Sequence, residues 1–400
     1  MIQVAVLGYG TVGGGVVQVI DDNKEAISGR TPEGINVKYI LDLRDFPGDP
    51  NEAKVVHDYN IILNDPEIKV ISETMGGVKP AYEFTKAALE KGISVCTSNK
   101  ELVANHGPEL LKIAKEHNCS YLFEASVGGG IPIIRPINSS LTAEKIDGIT
   151  GILNGTTNYI LTKMENEGSK FEDVLKEAQE LGYAERNPEA DIEGYDACRK
   201  IAILTSLMSG KNMKYEDVYT EGITKITADD FKYAKEMGRT IKLFGLSREE
   251  DGLYYAMVSP FMLPKTHPMA MVNDVFNGIF VHSNMLGDSM YYGRGAGKLP
   301  TASAVVGDII DCARNIGDTV PVIWSEEAIP QKNVDDVKHR FFVRCSMDAH
   351  EEALGAFETV STVKSMVEGE FAFTTQAMTE ADFKKKADKV GIISRIRLVD

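Results

Sequence analysis

The apolar run Ile2–Leu7 leads directly into Gly8-Tyr9-Gly10-Thr11-Val12-Gly13, and the amphipathic stretch Thr11–Asp21 follows. A G-x-G-x-x-G between a buried strand and a helix start has a physical meaning. Gly8 permits the tight turn, Gly10 lets the backbone approach a pyrophosphate, and Gly13 lets helix and strand pack closely. The positive end of the helix, Thr11 and Val12 included, then faces the phosphates. An ordinary glycine-rich turn is the competing reading, but the place of this loop at the head of a βαβ pattern favours dinucleotide binding.

That pattern continues for about 130 residues. Short apolar runs at Val37–Leu41, Val70–Ser72, Ser94–Thr97 and Ser120–Ala125 read as strands, with helices at Ala81–Glu90 and Pro108–Glu116. The fold class expected is α/β, with a Rossmann-like parallel sheet. The second strand ends in Asp42-Leu43-Arg44-Asp45, where an acid would hold the ribose 2′-hydroxyl of NAD and Arg44 the 2′-phosphate of NADP. Both residue types are present and the choice stays open.

A chain of 400 residues exceeds one hydrophobic core, so two or three domains are expected. From about Lys145 the rhythm changes to strands without helices between them, Leu253–Val258, Gly278–His282 and Met290–Tyr292, which reads as a mixed-sheet α+β domain. The helical stretch Thr301–Arg314 is expected to return to the first domain. The division is therefore residues 1–135 plus about 298–325 for the dinucleotide-binding domain, 136–297 for a substrate-binding and dimerisation domain, and 334–400 for a small α+β unit.

The formal charge of -16 disfavours nucleic acid as a partner. The five cysteines are scattered singly, as expected of a reduced, cytoplasmic protein, and Cys96 and Cys198 read as packing residues. No signal-peptide pattern precedes the first strand, and no apolar run reaches the ~18 residues of a membrane span. Helical zinc pairs, a G-x-S-x-G elbow and a G-x-x-x-x-G-K-[ST] loop are also missing from the sequence.

Several positions in the remainder carry possible chemistry. Gly182-Tyr183-Ala184-Glu185-Arg186-Asn187-Pro188 is a loop, and it leads into a helical stripe, Ile192–Met208, with Ala197, Ile201, Leu204 and Met208 on its buried face. Asp196 and Lys200 are four apart on the adjoining face, so they can meet. Spacing alone makes them an ordinary solvated ion pair. With the nearby carboxylates of Glu185 and Asp191, the same residues suit a small substrate bearing an ammonium group. Lys100, in Thr97-Ser98-Asn99-Lys100, lies past a strand end in the usual ligand crevice, although a solvated amine is the plainer reading. Three glycines in Glu124–Pro132 read equally as a carbonyl-lined ligand loop or a hinge. Gly155-Thr156-Thr157 and Gly293–Gly297 are turns of the same ambiguous kind.

Taken together, Gly8–Gly13, Thr97–Lys100, Glu124–Ile134, Gly151–Leu161, Gly293–Asp308 and above all Gly182–Leu204 (GYAERNPEADIEGYDACRKIAIL) resemble homoserine dehydrogenase over about residues 1–325. The resemblance implies NAD- or NADP-dependent interconversion of L-homoserine and L-aspartate 4-semialdehyde, in threonine, methionine and isoleucine biosynthesis. It implies Lys200 as the catalytic lysine and Lys100 as a second lysine near cofactor and reacting carbon. Glu185 and Asp196 are then contacts for the substrate's ammonium and hydroxyl groups, with Thr156, Tyr183 and Asp191 in support. Cofactor contacts fall on Gly8, Gly10, Thr11, Val12, Gly13, Arg44, Thr97, Ser98, Lys100, Gly182 and one of Gly295 and Gly297. A monovalent cation, sodium in the family, would lie at Glu124, Val127, Gly129 and Ile131. A homodimer or homotetramer is implied as well.

Alcohol oxidation requires loss of the O–H proton as hydride leaves the carbon, so the site needs a positioned proton carrier. Lys200 is expected in that role and Asp196 as its orienting partner. Two rivals are another nicotinamide oxidoreductase for a small amino acid and a cofactor-sensing regulator without turnover. A sensor has no use for Lys200, Asp196, Glu185 and Lys100 together.

The tail reads as β-α-β-β-α-β: Phe341–Cys345, Ala353–Thr359, Thr362–Glu368, Phe371–Thr375, Ala381–Lys389 and Ile392–Leu398, the order of the ACT domains found in many such enzymes. Its usual small-residue turn is replaced by Asp348–Leu354. Amino-acid binding and a dimerising or vestigial role both stay open.

Overall fold

Along the chain, a computed structural model describes residues 1–357 and 360–399. The first elements are β1 (Ile2–Leu7), α1 (Thr11–Asp22), β2 (Ile35–Leu41), β3 (Val55–Val56), β4 (Ile68–Glu73), α2 (Ala81–Glu90), β5 (Ser94–Thr97), α3 (Lys100–Glu116) and β6 (Tyr121–Leu122). Then come β7 (Ile146–Ile152), α4 (Gly155–Glu167), α5 (Phe171–Glu180), α6 (Tyr195–Ser209), β8 (Tyr219–Thr220), α7 (Ala228–Glu236), β9 (Arg239–Glu250), β10 (Leu253–Pro264), β11 (Phe276–Ser283), β12 (Gly287–Arg294) and α8 (Lys298–Arg314). The last are β13 (Lys338–Ser346), α9 (His350–Phe357), β14 (Val360–Val363), β15 (Glu370–Thr375), β16 (Met378–Thr379), α10 (Glu380–Ala387) and β17 (Ile392–Leu398). Two compact units result: residues 1–145, 202–215 and 293–329, and residues 146–201, 216–292 and 330–400.

The first unit carries a six-stranded sheet in the order β3-β2-β1-β4-β5-β6, parallel throughout. This is the doubly wound order, with its switch point beside β1. A central parallel strand is covered on both faces, which is why Ile2–Leu7 is almost continuously apolar and buried. Helix α8 packs on this core as expected: Ala302, Val305, Val306 and Ile309 share a cluster with Val4, Val6, Val16 and Ile20. A Cβ on Gly15 would stand 2.9 Å from that of Ala302.

One expected boundary in this unit moves substantially. Pro108 was expected to open a helix, but α3 starts at Lys100 and Pro108 lies inside it. Asn99 supplies the start, its side chain accepting a hydrogen bond from the Leu102 N–H at 3.1 Å. The strand expected at Ser120–Ala125 shrinks to Tyr121–Leu122, because Glu124–Ser126 coils into a 3-10 turn.

The second unit carries an extended sheet, β12-β11-β7-β9-β10-β17-β13-β15-β14. Strands β9 and β10 form a 12-by-12 antiparallel hairpin. Asp251 and Gly252 both adopt positive φ at its tip, the backbone of a type I′ turn. The segment 334–400, expected as a separate unit, belongs with this sheet, because β17 pairs parallel with β10 at Phe261↔Arg397 and Met262↔Leu398. Its elements follow the β-α-β-β-α-β order, with the antiparallel arrangement β17-β13-β15-β14. The strand expected at Thr362–Glu368 lies earlier, at Val360–Val363. Thr359, expected as the end of a helix, lies outside the described residues, as does Asp400.

Candidate active site

In the first unit, the glycine loop joins the end of β1 to α1. Gly8 has φ +91°, which a side chain would resist, and a Cβ on Gly13 would fall 1.9 Å from the Gly8 carbonyl oxygen. Gly10 differs: a Cβ there would meet no protein atom within 4 Å. Gly10 precedes the first turn of α1 without any side-chain cap on the N–H groups. That open approach to a helix N-terminus suits a dinucleotide pyrophosphate. Thr11 is exposed beside it and Val12 packs on the core.

The loop borders a groove of about 540 Å³ lined by Gly8, Gly10, Asp42, Arg44, His57 and Thr74, among others. Asp42 is held there by its neighbours. It accepts hydrogen bonds from the Tyr9 N–H at 2.8 Å and from the Arg44 Nε and Nη2 at 2.9 Å each. The guanidinium beside it holds the Asp42 carboxyl well below the usual carboxylate range. Asp42 and Arg44, the two residues expected to compete for the 2′ position, therefore line one groove and are paired with each other.

At the end of β5, Thr97 is fully buried. Its hydroxyl donates to Glu73 at 2.6 Å and accepts the Asn99 N–H at 2.9 Å, so the side chain braces the turn. Burial raises the Glu73 carboxyl above its ordinary range. Ser98 and Lys100 follow, both half-buried, with Lys100 at the first position of α3.

Glu124, Val127, Gly129 and Ile131 are all buried. The Glu124 carboxylate is already engaged: it accepts the N–H groups of Ile133, Ile134 and Arg135 at 2.6, 2.8 and 2.6 Å. No cluster of three or more His, Cys, Asp or Glu able to hold a metal occurs among the described residues. Gly129 adopts φ +56° and a Cβ there would lie 2.3 Å from the Gly295 carbonyl oxygen, so the two glycine turns pack backbone to backbone. Gly297 precedes α8.

In the second unit, the predicted pair is real and buried. Lys200 Nζ donates to Asp196 Oδ2 at 2.6 Å and to the Leu153 carbonyl at 2.8 Å. Lys200 is 9% and Asp196 4% exposed, which removes the solvated-pair reading. Asn154, not anticipated from sequence, links the parts. Its Nδ2 donates to Asp196 Oδ2 at 2.9 Å and to Asp191 Oδ1 at 2.7 Å, while its Oδ1 caps α4 by accepting the Thr157 N–H at 2.9 Å. Asparagine just before a helix was the available signal.

Thr156 donates to the Tyr183 carbonyl at 2.6 Å, fastening the Gly182–Pro188 loop to α4. Tyr183 packs edge-on against Tyr159, and Gly182 turns the chain at φ +75°. Glu185 lies exposed on this loop and its carboxylate makes no hydrogen bond to a described residue. The structure thus gathers Lys200, Asp196 and Asp191 around Asn154, and ties Thr156 to Tyr183.

Comparison with known proteins gives one answer. Residues 132–310 match the family model described as homoserine dehydrogenase, and residues 8–124 match that described as homoserine dehydrogenase, NAD binding domain. A homoserine dehydrogenase of Bacillus subtilis is 38% identical over 91% of this chain and 85% of its own length. That of Synechocystis is 44% identical over 78% and 73%. The crystal structure of a homoserine dehydrogenase from Thiobacillus denitrificans superposes with a TM-score of 0.89 at 35% identity, covering 100% of this chain and 98% of that one. A hyperthermophilic archaeal homoserine dehydrogenase in complex with NADPH gives a TM-score of 0.67 at 29% identity, over 78% and 97%.

Proposed function

The chain belongs to the homoserine dehydrogenase family, and from that premise we propose how its own residues serve the reaction. It is an NAD(P)-dependent oxidoreductase that interconverts L-homoserine and L-aspartate 4-semialdehyde. The nicotinamide, when bound, supplies or accepts the hydride. The protein's task is to hold the substrate and move one proton.

Lys200 is the proton carrier. Its Nζ gives a proton to the oxygen as the aldehyde is reduced, and takes the hydroxyl proton in the reverse direction. Asp196 and the Leu153 carbonyl fix Nζ in place, so little is lost in orienting it. Asn154 holds Asp196 and Asp191 in register. Glu185 and Asp191 supply carboxylates for the substrate ammonium, with Glu185 on a loop that Thr156 and Tyr183 steady. The single observation that carries this reading is the hydrogen-bonded chain Lys200–Asp196–Asn154–Asp191, buried at its first three members and half-buried at Asp191.

In the first unit, Gly8, Gly10, Thr11, Val12 and Gly13 are read as the phosphate cradle and Arg44 as the partner of a 2′-phosphate. Thr97 acts by bracing Ser98 and Lys100, and Lys100 is the amine on the cofactor-binding side. Gly182 and one of Gly295 and Gly297 are further cofactor contacts implied by family resemblance. A monovalent cation would be held by the carbonyls of Glu124, Val127, Gly129 and Ile131, where it would stiffen the loop. The tail is read as ACT-like, and the assembly as a homodimer or homotetramer, to be measured by light scattering. Cytoplasmic residence is supported by five buried cysteines that form no disulfide among the described residues. No described helix is long and apolar enough to cross a membrane.

Absorbance of the reduced nicotinamide tests the reading, with homoserine and each oxidised cofactor in turn. Homoserine-dependent reduction is expected; its absence with both cofactors overturns the assignment.

A further inference from the structure

The segment Tyr219–Ile223 lies within the second unit, between strand β17 and the turn from which the catalytic helix springs. On one side, Glu221 Oε2 receives Arg395 Nη1 at 3.0 Å and Arg397 Nη1 at 2.9 Å, with the Ser259 and Tyr219 hydroxyls at 3.3 and 3.2 Å. Arg397 is fully buried and is also gripped by Glu380 through Nε at 2.7 Å and Nη2 at 2.9 Å. Burial opposes ionisation of Glu221, yet the two guanidiniums hold its carboxyl below the ordinary range. A charge network this enclosed is expensive to break at one member.

On the other side, the next residues press on the turn Asp191–Gly194. The Ile223 N–H donates to the Ile192 carbonyl at 2.8 Å. A Cβ on Gly222 would fall 2.1 Å from that same carbonyl oxygen and 2.5 Å from Glu193 Cα, so the two backbones are in direct contact. The Gly194 N–H in turn donates to the Asp191 carbonyl at 3.0 Å, and the Cys198 N–H to the Gly194 carbonyl at 2.9 Å. Asp191 stands at one end of this turn, and Asp196 and Lys200 lie on the helix that follows.

We propose that Glu221 is a positioning residue for the homoserine site, transmitting the placement of β17 to Asp191 and to the first turn of α6. It reaches no reacting atom. It acts by fixing the backbone on which the proton carrier and the ammonium-binding carboxylate are mounted. The inference rests on the function proposed above. Its chemical consequence is selective: substrate affinity should depend on Arg395 and Glu221, whereas the dinucleotide loop lies in the other unit and should not.

Arg395→Met is the main test, because Arg395 is partly exposed and Arg397 keeps Glu380 when it is lost. KM for homoserine should rise about fivefold with KM for the cofactor unchanged, and Arg395→Lys should recover most of the loss. Unchanged homoserine KM in Arg395→Met, even with a lower melting temperature, overturns the proposal. Amide hydrogen exchange of the full chain gives a readout independent of turnover. Faster exchange at Gly194 and Ile223 in both Arg395→Met and Glu221→Gln is expected, and unchanged protection there overturns the link. Should the wild-type chain fail to oxidise homoserine, the functional reading fails while the exchange experiment still decides this one.

Discussion

Lys200 and Asp196 lie one helical turn apart on α6 and are joined at 2.6 Å, with both side chains buried. A buried lysine whose partner is fixed by a third residue, Asn154, can present its Nζ in one place. Replacing Asp196 by Asn should retain the shape and remove the charge partner. A fall in kcat of about 10²–10⁴-fold with little change in cofactor KM is expected from steady-state kinetics.

Asn154 has two tasks that one substitution separates from ordinary surface effects. In Asn154→Ala, α4 loses its cap, at a cost of about 0.5–2 kcal/mol seen in thermal unfolding. Asp191 and Asp196 also lose their shared donor, so homoserine KM should rise together with the drop in stability. A stability loss alone would leave Asn154 a helix cap and nothing more.

The glycine loop offers a contrast between two alanines. Gly13→Ala places a Cβ 1.9 Å from the Gly8 carbonyl oxygen, so the loop must shift, at about 1–3 kcal/mol. Gly10→Ala meets no protein atom within 4 Å, so its melting temperature should match that of the wild type while cofactor KM rises. Calorimetry and cofactor titration on the two variants check both halves.

Cofactor preference turns on Arg44 and Asp42. Arg44→Ala removes the arginine available to a 2′-phosphate and frees the Asp42 carboxylate for a ribose hydroxyl. KM for NADP should rise about tenfold or more, while KM for NAD stays level or falls. Equal effects on both cofactors would remove Arg44 from phosphate recognition.

Acid stability is set in part by Glu380. Burial works against its charge, but His339 and Arg397 prevail and bring its pKa from the ordinary 4.5 down to about 2. A depressed carboxylate pKa stabilises the fold fully above pH 4.5, and this stabilisation is lost as pH falls through about 2. The contribution is on the order of 3 kcal/mol. Glu380→Gln should flatten the acid limb of a pH–stability curve across that window.

The parallel sheet was legible from sequence because its strands are buried on both faces and its glycine loop has a fixed meaning. Strand β9 was not: Lys242 interrupts its apolar run even though that side chain is fully buried, donating to the Val272 carbonyl at 2.7 Å and to Asn273 at 2.9 Å. The Asp251-Gly252 turn was the signal that would have located the hairpin. Strand β10 continues past Ser259-Pro260, where a proline reads as a break. Helix α3 was shortened for the same reason, since Pro108 reads as a start while Asn99 is the cap. In the site, spacing showed that Asp196 and Lys200 can meet, while their role came from the family resemblance. Their ties to Asn154 and to the Leu153 carbonyl come from the junction of β7 and α4, more than forty residues away in the chain.

The most direct test is the single-turnover rate of reduced-nicotinamide formation from homoserine, measured in the wild type and in Lys200→Met at saturating cofactor. The account requires wild-type turnover and a variant that binds cofactor normally yet forms product at least a hundredfold more slowly. A Lys200→Met chain that reduces the cofactor at the wild-type rate would contradict it.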